Sequence, residues 1–446
     1  MAVSTAWSDE VLQAAEPALV FCPLGFERRA LLRFAKLPVV TTGPGAEGIH
    51  RAFAARDGWP VRNPRLVVLC GLAGALNPDL AAGGAWSAAV VVGTPLLPAR
   101  LASASARAAS IVEASRLVST PQAKAVLRSE CGADLVDLES RAFAECAAAA
   151  RLPFAIVRGV GDGAQDALPA ELADLVDAHG ETRLGRTLVS LLRRPALLGE
   201  LLPLARRSRA AMRDAAFLAD AFGALPPLAL CTPQNPFLLY GGSFDPPHER
   251  HASMLVDAMR TLGAPCADVM PAAINPLKSD TPPADPDARL AMCRVAFANL
   301  RGAAGEVRLS RLEIAREGPS FTIDTVEALC AAHPHLRGAI RFLIGSDALR
   351  SIERWHRWRE LLALARPAVV LRPPDTRDAV VRFLAEFAAS SGFADAPSWL
   401  LDLPAVDLAS TEIRAGAARG ERPAGLSDGV WREITARGLY GFGRVR

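Results

Sequence analysis

Twice along this chain, short apolar runs ending in glycine or proline alternate with helix-patterned stretches, and that alternation leaves few folds open. The first half carries "ALVFCPLG", "RLVVLCGLAG", "AAVVVG" and "PFAIVRGVGD". The second carries "PFLLYGG", "ADVMPA", "EVRLSRLEI", "IRFLIGSD", "AVVLRPP" and "SWLLDLP", with helical "ASMLVDAMRTLG", "DARLAMCRVAFANL" and "TIDTVEALCAAH" among them. A strand returning to a parallel neighbour needs a crossover, usually a helix, so both halves are predicted to be α/β. In the second half the regular alternation predicts a doubly wound, Rossmann-like parallel sheet with ligands outside the carboxyl ends of its strands.

At 446 residues the chain is long enough for two separate cores. Between the halves lie basic helical segments, "ETRLGRTLVSLLRR" and "ALLGELLPLARRSRAAMRDAAFLADAF", then "GALPPLALCTPQNP", which has four prolines and no charge. The expected division is a first domain over 1–190, a basic helical segment and proline-rich linker over 191–235, and a second domain over 236–446. The basic amphipathic pair fits either a membrane surface or, more commonly, a solvated face over a docked apolar stripe.

Lys plus Arg (50) nearly cancels Asp plus Glu (47), so bulk charge gives no case for a nucleic-acid partner. The 8 cysteines form no C-x-x-C pair and no zinc-like spacing, as in a reducing compartment. The N-terminus lacks a signal-peptide pattern, and the uncharged stretch 80–99 is broken by glycine and proline, so a cytoplasmic protein without a membrane span is expected.

The stretch "LLYGGSFDPPHERHASML" concentrates the chemistry: an apolar strand runs into Gly241-Gly242, and His248 and His251 follow where a helix begins. Glycines let backbone N–H groups approach a ligand, and a helix start presents its positive end, so this corner suits a phosphate. Imidazoles at i and i+3 share one side of the first turn and can donate to phosphoryl oxygens. Taken alone, H-x-x-H is more often an incidental pair in a turn.

Two further stretches strengthen the phosphate reading. "IGSDALRSIERWHRWREL" follows a strand with Gly345 and Asp347, a short polar pair suited to sugar hydroxyls, and is expected to place Trp355 and Trp358 one helical turn apart; Trp358 reads as core and Trp355 as the stacking residue. "ASTEIR" puts Ser410, Thr411 and Arg414 at a late helix start, facing an anion.

In order and spacing, "GGSFDPPH", "NPLK", "SFTIDT", "IGSDAL", "RWHRW", "STEIR" and "GLYG" resemble the nicotinate-nucleotide adenylyltransferase family of the HxGH nucleotidyltransferase superfamily, over about 210 residues from Pro236. The resemblance implies adenylyl transfer from ATP to nicotinate mononucleotide, with Mg²⁺, in NAD biosynthesis. It implies that His248 and His251 are catalytic, contacting the ATP phosphates. Gly241, Gly242, Ser243, Phe244, Lys278, Ser410, Thr411 and Arg414 would surround the nucleotide and its triphosphate, Gly345 and Asp347 would hold adenosine or ribose, and Thr322 and Trp355 would border the pyridine ring. Where the family has Gly in H-x-G-H, this chain has Arg250. Another superfamily activity, such as a pantetheine-phosphate adenylyltransferase, and a nucleotide-binding regulator with a decayed site are the alternatives.

The first half resembles the nucleoside phosphorylase and nucleosidase superfamily, closest to its hopanoid-associated phosphorylase-like branch, through "GPGAEGIHRAF", "CGLAGALNPDLAAGG", "VDLESRAFAECA" and "FAIVRGVGDGAQDALP". This implies Glu139 on ribose hydroxyls, Asp162 protonating a departing purine and Glu27 activating water. Leu138 and Gly161 stand where that superfamily usually has Met and Ser. A retained fold that binds nucleoside weakly, or serves as an assembly surface, is the alternative to purine nucleoside cleavage.

Overall fold

The computed structural model describes residues 9–101, 107–274, 283–298, 300, 302–303, 305–316, 318–404 and 410–442. The chain forms two compact units: Glu16–Leu230, and Met1–Ala15 together with Cys231–Arg446. In chain order the strands are β1 (Glu10–Gln13), β2 (Leu19–Cys22), β3 (Val39–Thr41), β4 (Val67–Ala75), β5 (Ala85–Val91), β6 (Ala108–Glu113), β7 (Leu135–Asp137), β8 (Phe154–Asp162), β9 (Phe237–Gly242), β10 (Cys266–Pro271), β11 (Glu306–Leu309), β12 (Ile340–Gly345) and β13 (Ala365–Val370).

In the unit Glu16–Leu230 the order is β3-β2-β4-β7-β6-β5-β8, and an extra β4–β8 pairing closes the last five strands into a ring. The sheet is mixed: β4 with β7 and β5 with β8 are antiparallel, the other pairs parallel. Phe21, Phe53, Trp59 and Phe143 pack edge, tilted or stacked on one side of the sheet. The helix Leu197–Gly223, expected as part of a connector, instead belongs to this core: Met212, Ala215, Ala216, Ala219 and Phe222 are buried with Val68, Cys70 and Val157. A Cβ on Gly159 of β8 would meet the backbone carbon of Ala211 at 2.8 Å, so glycine is what lets the helix lie this close to the strand. By contrast, the helix Leu184–Arg193 buries none of its residues, and the expectation of an apolar stripe docked beneath it is not met there.

The second unit is the expected doubly wound sheet, in the order β1-β11-β10-β9-β12-β13. β9 through β13 are parallel throughout. Phe237, Leu238, Leu239 and Tyr240 are all buried, as a central strand covered on both faces requires. β10 follows β9 through Pro271↔Gly242, whereas β12 pairs with β9 only through Phe342↔Leu239. Beyond that point β9 and β12 separate, and the crevice between their carboxyl ends is the topological switch point.

Two expectations about this unit change. β1 lies outside the expected 236–446 boundary: it pairs antiparallel with β11, Glu10↔Leu309 and Val11↔Arg308. An edge strand needs only one apolar face, and Leu12 supplies it by packing on the core while Glu10 pairs with Arg294 at 2.7 Å. "SWLLDLP" forms no ladder; a 3-10 turn over Ala396–Trp399 leaves only Leu400 to bridge Val369.

Deleting residues 1–15 from the chain would expose β11 and remove the pairs of Asp9 and Glu10 with Arg308 and Arg294. These contacts contribute on the order of 1–2 kcal/mol, so the thermal midpoint of the second unit should fall by about 3–6 °C in calorimetry. An unchanged midpoint would mean that β1 adds nothing to that sheet.

Candidate active site

The loop after β9 is shaped from behind. Phe244 has a left-handed φ of +47°, with its buried ring edge-on to Tyr240 at 5.1 Å and to Phe297 at 5.5 Å. A backbone conformation that costs a non-glycine residue roughly 1 kcal/mol or more persists because these rings fix it. Arg289, only 1% exposed, donates to Ser243 O at 2.9 Å, Ala272 O at 2.7 Å and Ala284 O at 2.9 Å, joining the loops after β9 and β10. Asp245 accepts from Tyr440 OH at 2.7 Å and Ala284 N at 3.2 Å.

Ser410 and Arg414, read as facing an anion, both touch this loop. Ser410 Oγ donates to Pro246 O at 3.2 Å, and Arg414 Nη1 donates to Asp245 O at 2.7 Å. Arg414 Nη2 also donates to Thr411 Oγ1 at 3.2 Å. Ser410 and Arg414 therefore hold the loop's carbonyls.

His248 caps the helix Glu249–Leu262 with extended backbone angles. Its N–H donates to His251 Nδ1 at 3.2 Å, and the two rings stack at 3.7 Å. With Nδ1 accepting, the hydrogen-bond network assigns the proton of neutral His251 to Nε2. His248 is 3% exposed, and burial, then the charges of Arg372 and Arg250, bring its pKa down to about 4. Its Nδ1 is buried without a hydrogen-bond partner among the described residues. His248 is thus a neutral imidazole at physiological pH. The first helical N–H, of Glu249, is taken by Gly425 O at 2.9 Å, so fewer amides face the loop than the bare motif suggests. Arg250 is exposed and makes no ion pair among the described residues.

Across the crevice, Asp347 pairs with Arg372 Nη1 at 3.1 Å. A Cβ on Gly345 would fall 2.3 Å from Arg372 Cδ, so only glycine lets this arginine cross the end of β12. Ser346, fully buried, accepts from Arg372 N at 3.0 Å. Arg372, just past β13, was missed in the sequence; the available signal was a lone cation before two prolines at the carboxyl end of a strand.

Thr322 opens the helix Thr322–Ala332, and Trp355 is half-buried, its ring 6.0 Å from Phe342. Their neighbours Phe321 and His356 have ring centroids 4.6 Å apart, so the two segments meet. Ser320 Oγ accepts from Ala273 N at 3.0 Å, tying the same region to the loop after β10. Trp358 packs elsewhere, against Phe387 at 5.8 Å and Phe393 at 6.4 Å. Lys278 lies outside the described residues. Among the described residues there is no cluster of three or more His, Cys, Asp or Glu that could hold a metal, and no helix is long and apolar enough to cross a membrane.

In the first unit, Glu27, Glu139 and Asp162 are all buried, around cations absent from the sequence reading. Arg158, 1% exposed on β8, donates to Asp137 through Nε at 2.8 Å and to Glu139 at 2.8 Å. Glu139 also accepts from Gly45 N at 2.8 Å. Glu27 accepts from Leu24 N at 3.0 Å and Leu72 N at 2.7 Å, and burial pushes its pKa up to about 7. Asp162 pairs with Lys124, itself fully buried and donating to Gly163 O at 2.8 Å and Asp166 O at 3.0 Å. Burial raises the pKa of Asp162, opposed by Lys124. A cavity lined by Gly74, Val136, Asp137, Leu138 and Asp162 adjoins the group. The signal for Arg158 was a charge inside an otherwise apolar, buried strand.

A doubly wound sheet with a stacked histidine pair at its switch point defines a nucleotidyltransferase-type domain. Residues 239–416 match the family described as "Cytidylyltransferase-like". The "Probable nicotinate-nucleotide adenylyltransferase" of Gemmatimonas aurantiaca is 34% identical over 203 residues, covering 45% of this chain and 90% of the relative. The protein of the same name from Aeromonas salmonicida is 35% identical over 214 residues, covering 46% and 97%. Through its second unit, the chain belongs to the nicotinate-nucleotide adenylyltransferase family. Among solved structures, a Helicobacter pylori 5'-methylthioadenosine/S-adenosyl homocysteine nucleosidase aligns with 48% of this chain and 100% of its own, at 14% identity and a TM-score of 0.33.

Because the folded pKa of His248 lies below its ordinary 6.5, the unfolded chain binds this proton more readily between pH 6.5 and 4. Stability is therefore lost as pH falls through that window, by about 3 kcal/mol for a shift of this size. The His248 ring resonances should titrate with a midpoint near 4, and His248→Gln should flatten the acid limb of the second unit's stability. A midpoint near 6.5 would place the ring in solvent.

Proposed function

We infer that the second unit transfers the adenylyl group of ATP to nicotinate mononucleotide, releasing pyrophosphate and forming deamido-NAD, a step of NAD biosynthesis. The observation that carries this is the His248–His251 pair at the switch-point crevice of a unit 34% identical to a relative of that name. The attacking group is a phosphate monoester, anionic at neutral pH, so the reaction needs no general base. What remains is to hold two nucleotides in line and to stabilise charge on the transferring and leaving phosphates.

Neutral imidazoles suit that task, since each offers an N–H without a buried cation to desolvate beforehand. In this reading His248 and His251 donate to the ATP phosphates, and the backbone of Gly241, Gly242, Ser243 and Phe244 lies along the nucleotide. Ser410, Thr411 and Arg414 border the triphosphate. Gly345 and Asp347 receive the ribose or adenosine, and Arg372, now paired with Asp347 at 3.1 Å, can turn toward phosphate. Mg²⁺ would enter as MgATP and would supply charge neutralisation at the phosphates. Thr322 and Trp355 border the pyridine, where a carboxylate can accept backbone N–H bonds that an amide NH₂ would leave unmet, favouring the acid substrate over the amide.

Purified protein with MgATP and nicotinate mononucleotide should release pyrophosphate. His248→Ala should lower kcat about a hundredfold or more, and exposed Arg250→Gly should change kcat/KM by less than about threefold. Release with phosphopantetheine instead would assign a different superfamily activity. ATP binding without pyrophosphate release with any pyridine nucleotide would make the unit a regulator.

For the first unit a second reading rests on Glu27 and Glu139 beside Arg158, and on Asp162 lining the adjoining cavity. We propose cleavage of a purine nucleoside: Arg158 and Gly45 N orient Glu139 toward ribose hydroxyls, Glu27 draws a proton from water, and Asp162 protonates the leaving base. Incubation with purine nucleosides, with and without phosphate, should liberate free base, and Asp162→Asn should slow release about a hundredfold or more. No base in either condition would leave a binding or assembly fold.

A further inference from the structure

One surface of the first unit is unused by either reaction. The helix Leu184–Arg193 exposes Leu184 (78%), Leu188 (61%) and Leu192 (73%), and the next helix exposes Leu198 and Leu202 at 50% each. Leu184, Leu188 and Leu192 recur every four residues and share one face, with Val189 beside them, whereas Arg186, Ser190 and Arg193 fall on the other. A lone exposed leucine needs no explanation, but a helix that buries none of its residues while segregating them this cleanly does.

Charge selects the occupant. Between 183 and 213 the chain carries eight arginines and one carboxylate, Glu200. Arg186, Arg194, Arg207 and Arg213 pair with Asp174, Glu171 and Glu200, Asp166 and Asp214 respectively. The other four, Arg183, Arg193, Arg206 and Arg209, make no ion pair among the described residues. A second copy of this chain would bring the same uncompensated cations against these, whereas an anionic bilayer supplies both an apolar layer for the leucines and phosphate headgroups for the arginines.

We propose that the segment 184–209 docks in the headgroup region of an anionic membrane, with Leu184, Leu188 and Leu192 inserted and the exposed Arg193, Arg206 and Arg209 on lipid phosphates. The helix lies on the surface, since no helix among the described residues is long and apolar enough to span. Neither enzymatic reading depends on this surface. An amphipathic helix of this kind would hold the whole chain at a membrane reversibly, through modest apolar area plus charge.

The test uses the full chain and vesicles of equal parts phosphatidylglycerol and phosphatidylcholine, against vesicles of phosphatidylcholine alone. Co-sedimentation is expected with the anionic vesicles and should be about tenfold weaker with the neutral ones or at high salt. Leu188→Gln with Leu192→Gln should reduce it similarly with unchanged thermal midpoint, both side chains being exposed; Arg193→Gln with Arg206→Gln is a second variant, read through charge alone. The proposal is overturned by no binding to anionic vesicles, by equal binding of both double variants, or by light scattering that shows a dimer which the leucine substitutions dissolve.

Discussion

The second unit depends on how far β9 stays paired with each neighbour. On one side the ladder with β10 runs to Gly242; on the other the ladder with β12 stops at Leu239. Past that residue the backbone of β9 has no strand beside it on the β12 side. The loops after β9 and β12 can therefore face each other across a gap. The stacked His248–His251 pair follows β9 and the Asp347–Arg372 pair follows β12 and β13, an arrangement that needs a parallel sheet whose winding reverses at its first core strand.

Fully buried cations recur in both units as organisers of backbone. Arg289 gathers carbonyls from the loops after β9 and β10, Lys124 gathers Gly163 O and Asp166 O beside Asp162, and Arg158 gathers two carboxylates. A guanidinium or ammonium without water is costly unless its donors are used, so each such residue fixes several acceptors at once. These positions determine loop shape and, through it, which side chains can approach a nucleotide. His248 shows the complementary solution: an imidazole placed where burial and two arginines keep it uncharged.

Much of this was legible in the sequence because its determinants are local. "PFLLYGG" ends at the glycines that end β9, and "GGSFDPPH" leads directly into a helix capped by His248. What escaped reading was set by distant partners. Asp245 accepts from Tyr440, 195 residues away, and Arg372 reaches Asp347 across strand ends, neither of which a local pattern can announce. The three-residue strands β3 and β7 are too short for periodicity. The helix Leu197–Gly223 carries Pro203 and many arginines, which suggested a connector; its buried face is mostly small residues, Ser208, Ala211, Ala215, Ala216, Ala219 and Gly223, and so gives a weak apolar signal.

The placement of β1 makes the first unit an insertion within the second, because both of its ends join segments of the same fold. Such a module is tethered twice, so a protease cut at one junction would not release it. The arrangement also orders biogenesis. Gln13 leaves the ribosome early but pairs with Val307, so its strand waits for nearly three hundred further residues. At roughly 5–20 residues per second that is about 15–60 s, ample time for the inserted unit to fold first. The nucleotidyltransferase sheet thus acquires its outer edge only after its guest is complete.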